Sequence, residues 1–165
     1  MAASMPPVAE GRARFLFRNE EGVIDAPTWR FHAGWLLALA LALTALWLVL
    51  KPFTHHDLAT SAFIAPMTVL AFAYLVAYSF ALLLIAVCYV MLTIKRLRDR
   101  AAPPALAALV PLLLLFAAAL HFMHAEAPDV ILTAYVVVLD IALIAAVTWT
   151  VVDLGFGQGR RATDR

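Results

Sequence analysis

Four stretches of this chain run for twenty residues or more with almost no formal charge, and that pattern constrains the fold more than any motif does. Phe31 to Leu50 lies between Arg30 and Lys51, and Leu58 to Ile94 between Asp57 and Lys95. Ala101 to Ala125 follows Arg100, and Val130 to Val152 is broken only by Asp140. A helix of about 20 apolar residues crosses a hydrocarbon core about 30 Å thick. Inside lipid every backbone amide must be bonded within its own segment, which selects helices. The expected fold is an all-α membrane protein, a four-transmembrane-helix bundle with spans near 31–50, 67–94, 104–123 and 130–152.

Composition agrees, with 65% hydrophobic and 14% charged residues and a mean hydropathy of +0.92. Soluble domains carry about 25% charged residues. The bilayer is thus the first expected partner, and a soluble enzyme or a nucleic-acid binder is disfavoured. The second run is too long for one perpendicular helix, since at about 1.5 Å per residue it would reach roughly 55 Å. Pro66 offers a natural start, because proline is tolerated in a first helical turn. The span is then tilted and runs from about Met67 to Ile94, with 60–65 as a short interfacial piece.

Orientation follows from the cations. Arg12, Arg14, Arg18 and Arg30 precede the first run, Lys95, Arg96, Arg98 and Arg100 follow the second, and Arg160, Arg161 and Arg165 follow the fourth. Lys51 alone falls on the other side, so eleven of the twelve cations share one face of a four-span arrangement. The positive-inside rule makes that face cytoplasmic, with both termini on it. The mostly polar segment before the first run is unlike a signal peptide, so that run is expected to be a retained span. Residues 1–14 read as a disordered tail and 156–165 as a cytoplasmic one. Trp29, Trp35 and Trp47 flank the first span and read as interfacial anchors.

Asp140 is the most expensive residue in the sequence. A carboxylate near the bilayer midplane costs about 2.5–3.5 kcal/mol on insertion scales, so it is expected to face the bundle interior. Its candidate partners are Tyr74, Tyr78 and Tyr89, which share a helical stripe in the second span, and Thr44 of the first. The bland reading is a hydrogen bond that fixes helix packing, and the sharper one a proton or cation relay. Lys95, Arg96, Arg98, Asp99 and Arg100 end the second span, as a topology signal or as a docking site for lipid headgroups or a protein. Pro111 falls inside the third span and is expected to kink it. The glycines of the tail, Gly155, Gly157 and Gly159, are expected to permit left-handed helix termination.

His55 and His56 lie in the first loop, and His121 and His124 are spaced to share one helical face. Brought together, these imidazoles could bind zinc or copper, although histidine is also common at interfaces. Cys88 is the sole cysteine, which excludes an intramolecular disulfide or a paired-thiol redox centre. No nucleophile–base set with plausible mutual placement is evident, no cofactor is implied, and no enzymatic activity is expected.

The stretch from Phe15-Leu16-Phe17 through Gly22, Ile24 and Trp29 resembles the opening of a small bacterial inner-membrane family catalogued as domain of unknown function 805. Members open with a Gly-Arg-Ile-x-Arg run, where this chain has Val23 and Ala26 in place of the arginines. Arg96-Leu97-Arg98-Asp99 is similar to the family's Arg-x-Leu-His-Asp, with arginine for histidine. Ala101-Ala102-Pro103-Pro104 departs from its Gly- and Trp-rich turn, whereas Pro111 matches the proline of its third span at a somewhat shorter spacing and the glycine-rich tail is similar to its ending. The resemblance covers about Phe15 to Arg161 and implies a compact multi-pass protein of the bacterial inner membrane with no known reaction. Two functions remain. One is a non-enzymatic membrane protein acting through lipids, a protein partner or a second copy. The other is a small transporter or ion-translocating unit using Asp140, with the histidines collecting a cation on the outer face.

Overall fold

In the computed structural model the described residues are 16–17, 22–54, 65–127 and 129–157. They form four long apolar helices: α1 Ala26–Leu50, α2 Pro66–Asp99, α3 Leu109–Glu126 and α4 Thr133–Phe156. Short 3₁₀ turns at Lys51–Thr54 and Pro104–Ala108 follow α1 and precede α3. Among the described residues there is no strand, so the protein is all-α. Each helix, with its adjoining 3₁₀ turn where there is one, is long and apolar enough to cross a membrane. The chain is an integral membrane protein by the length and composition of these helices.

The helix ends have local chemical causes. Asp25 Oδ1 accepts the Thr28 N–H at 3.3 Å, an N-cap bond that satisfies one orphan donor of the first turn. Pro27 sits in that turn, where no internal N–H is needed. The helix therefore starts a turn ahead of Phe31, and Trp29 and Arg30 belong to it. Gly22 precedes this start at φ 102°, a backbone region glycine adopts without penalty. At the other end of α2, Ala102 N–H bonds the Leu97 carbonyl and Ala101 N–H the Arg98 carbonyl. This pair is the Schellman arrangement, with Ala101 at φ 54° where glycine is usual.

Pro111 is the third residue of α3, because the segment before it is a 3₁₀ turn. A first-turn proline sacrifices no helical bond, which removes the basis for the expected kink. Gly157 ends α4 at φ −63° and ψ 139°, extended rather than left-handed. Glycine is required there for space: a Cβ would lie 2.2 Å from the Asp153 carbonyl oxygen and 2.8 Å from Arg100 Cζ.

The chain divides into two compact units. One is Ala33–Cys88, made from most of α1 and the first part of α2. The two helices are joined there by phenols. Tyr74 donates to the Leu43 carbonyl at 2.8 Å. Thr44 donates its one proton to the Ala40 carbonyl at 2.8 Å, so Tyr78 is the donor in the 2.9 Å Tyr78–Thr44 bond. The Tyr78 ring stacks on both Tyr74 and Trp47.

The other unit comprises Met1–His32 and Tyr89–Arg165, within which α3 and α4 pack along each other. Its interior uses small residues, among them Ala107, Ala117, Val136 and Ala146, all buried. Small side chains let helices in lipid approach closely. Large apolar side chains such as Phe116, Phe122, Val138 and Ile141 face outward, more than half exposed.

Candidate functional site

The basic end of α2 lies against the C-terminal end of α4. The last carbonyls of any helix lack internal donors, and they carry the negative end of its dipole. Arg96 supplies the missing donors: its Nε bonds the Leu154 carbonyl at 2.9 Å and its Nη2 the Gly157 carbonyl. Its Nη1 is paired with Asp99, one turn along α2. Arg96 is thereby 1% exposed. Arg100 Nη2 bonds Asp153 Oδ1 at 2.6 Å, a second tie between the two helices.

The start of α1 joins the same assembly. Trp29 is buried, and its indole N–H donates to Thr93 Oγ1 of α2 at 3.3 Å. The guanidinium of Arg30 sits over the Phe156 ring, 5.0 Å from its centroid, a cation–π contact. Tyr89 lies beside the hydroxyls of Thr93 and Thr150. Lys95 is also buried, and Arg98 is the one cation of the motif with an exposed side chain.

Two expectations change here. Trp29 is interior and bonded to a neighbouring helix, whereas Trp35 is 64% exposed, as a ring facing lipid would be. In the run Lys95 to Arg100, Arg96 and Arg100 turn inward onto the end of α4, where the protein's own backbone carbonyls and carboxylates already occupy them. Sequence reasoning missed this because the receiving groups are chiefly backbone carbonyls, which leave no residue signature.

The second constellation joins α3 to α4. His121 Nε2 lies 3.1 and 3.2 Å from the two carboxylate oxygens of Asp140. The expected partners of Asp140 are accounted for elsewhere: Tyr74, Tyr78 and Thr44 tie α2 to α1, and Tyr89 lies beside two threonines. The expected depth also changes. Because α4 starts at Thr133, Asp140 is only seven residues in, about 10 Å along the axis. The pair is not buried, with side chains 55% (His121) and 39% (Asp140) exposed.

The sequence presents His121 as half of a histidine pair and leaves its role toward Asp140 unassigned. The signal was present, since a histidine in an otherwise apolar run is the natural polar partner for a carboxylate. His124 diverges from it and bonds the Ile131 carbonyl through Nδ1 at 2.7 Å. His55 and His56 lie outside the described residues. Among the described residues no three His, Cys, Asp or Glu side chains come together in a way that could hold a metal.

No family model, curated protein or solved structure matches the chain.

Proposed function

We propose that this is a non-enzymatic protein of the bacterial inner membrane, with both termini in the cytoplasm, acting through lipids and protein partners. The observation that carries the reading is the basic end formed by α1, α2 and α4. The start of α1 and the ends of α2 and α4 meet through Trp29–Thr93, Arg30–Phe156 and Arg96–Leu154. Arg30, Lys95, Arg96, Arg98 and Arg100 all belong to that end, and Lys51 to the opposite end of α1. Such an asymmetry favours the cytoplasmic side for the cation-rich end. The strongest polar groups there serve helix-to-helix bonds, which suits a scaffold. The apolar outer faces and the His121–Asp140 pair remain for lipids and other molecules. The resemblance to domain of unknown function 805 is part of this proposal and adds no reaction to it.

One observation favours the second reading, a proton- or cation-coupled translocator: two ionisable side chains, His121 and Asp140, touch within candidate spans. Intramembrane ionisable groups commonly mark ion pathways. Reconstitution in proteoliposomes with an internal pH dye separates the two. The scaffold reading expects no proton flux above that of empty vesicles, with wild-type protein and Asp140→Asn indistinguishable. A flux that the wild-type chain supports and Asp140→Asn abolishes would replace it with the translocator.

A further inference from the structure

We propose that the surface around His121 and Asp140 is the interface with a second copy of this chain, joined about a two-fold axis. The inference rests on the reading above, that the protein works through partners, and it names the partner and the face. Three observations meet at this place. The pair lies inside candidate spans, yet its side chains are 55% and 39% exposed, and polar side chains at such depth characteristically face protein or water rather than lipid. The pair is self-complementary. With a proton on each ring nitrogen His121 has a second N–H to donate, and the Asp140 carboxylate, which only accepts, has lone pairs beyond those facing His121. Each group can therefore meet its opposite in a facing copy while keeping the bond it has. An isologous two-fold contact requires this of a surface, a donor and an acceptor offered by the same patch.

The flanking residues permit the approach. Ala118 and Ala125, three before and four after His121, share its helical stripe and are both exposed. Small residues in these positions let two membrane helices come close enough for short polar side chains to bond. On α4 the same stripe offers Val137 and Ile144, exposed by 49% and 64%. The contact is thus a polar centre within an apolar rim.

Disulfide cross-linking in native membranes tests this, with Cys88→Ala as background. Ala118→Cys is expected to give a covalent dimer on mild oxidation, and Phe116→Cys, some 200° around α3, to give none. In the Ala118→Cys chain, adding His121→Leu and Asp140→Leu together, which removes both polar groups without leaving one unpaired, is expected to abolish the dimer band. Asp140→Asn, which can still hydrogen-bond, is expected to keep it. Absence of a dimer at Ala118→Cys, with the chain monomeric by light scattering in detergent, overturns the proposal. So does equal cross-linking at the two cysteine positions, or a dimer that survives the double leucine change. Because the flux assay reads a different quantity, a failed cross-link leaves the scaffold reading intact, and an Asp140-dependent flux leaves the dimer intact.

Discussion

Arg96 of α2 donates from Nε to the carbonyl oxygen of Leu154 in the last turn of α4, across 2.9 Å and fifty-eight residues of sequence. A guanidinium that caps another helix does two jobs at once. It satisfies carbonyls that the helix cannot, and it fixes which end of α4 lies beside which end of α2. Lysine at this position would retain the charge and lose the planar fork. Arg96→Lys is expected to destabilise the protein by about 2 kcal/mol, in the range of lost hydrogen bonds to charged groups. A fall of several degrees in the midpoint of thermal unfolding in detergent checks this, with Arg98→Lys, at an exposed site, close to unchanged.

The phenol contacts between α1 and α2 predict a smaller effect. Interhelical hydrogen bonds within membranes average about 0.6 kcal/mol in double-mutant cycles. Tyr78→Phe and Thr44→Val are expected to couple by about that amount, measured as unfolding in increasing dodecyl sulfate. Additive changes would mean that the 2.9 Å contact contributes nothing of its own.

Ala101 holds a left-handed conformation at φ 54°, which costs an L-residue roughly 1–2 kcal/mol. Glycine removes that cost but has more freedom to lose on folding. Ala101→Gly is therefore expected to stabilise by about 0.5–1 kcal/mol, seen as a higher unfolding midpoint.

Gly157→Ala has the opposite sign. Its Cβ would meet the Asp153 carbonyl and the Arg100 guanidinium, so either the end of α4 or the Arg100–Asp153 ion pair must move. A loss of about 1–3 kcal/mol follows, the usual cost of forcing atoms into a filled site. Combining Gly157→Ala with Arg100→Ala is expected to be less than additive, because the first change already disturbs the contact the second removes.

Much of the fold was legible because uncharged length alone identifies a span. The four runs located the four helices, and Pro66 marks the start of α2. What a list of runs omits is how the ends are finished. The Asp25 cap and Pro27 moved the start of α1 back to Ala26, and Pro111 became harmless once a 3₁₀ turn preceded it. The site was less legible, for a physical reason. Sequence position says how deep a charge lies along its own helix, and says little about which neighbour receives it. Asp140 stood out because a carboxylate interrupts an apolar run. Its partner His121 stood out only as one of a histidine pair, since charge counting leaves its run intact and nothing in that run points to Asp140 in particular. Arg96 and Arg100 stood out as cations, while their acceptors on α4 were mainly backbone and one distant aspartate.

The arrangement of the four spans is tested most directly by cysteine labelling with a membrane-impermeant maleimide, again with Cys88→Ala as background. Phe53→Cys and Val130→Cys, at exposed positions in the turn after α1 and in the connection between α3 and α4, are predicted to label in intact spheroplasts. Ala105→Cys, exposed in the turn before α3, is predicted to label only after permeabilisation. Labelling of Ala105→Cys in intact spheroplasts, or of all three positions from one side, would contradict the four-span arrangement with its cation-rich end in the cytoplasm.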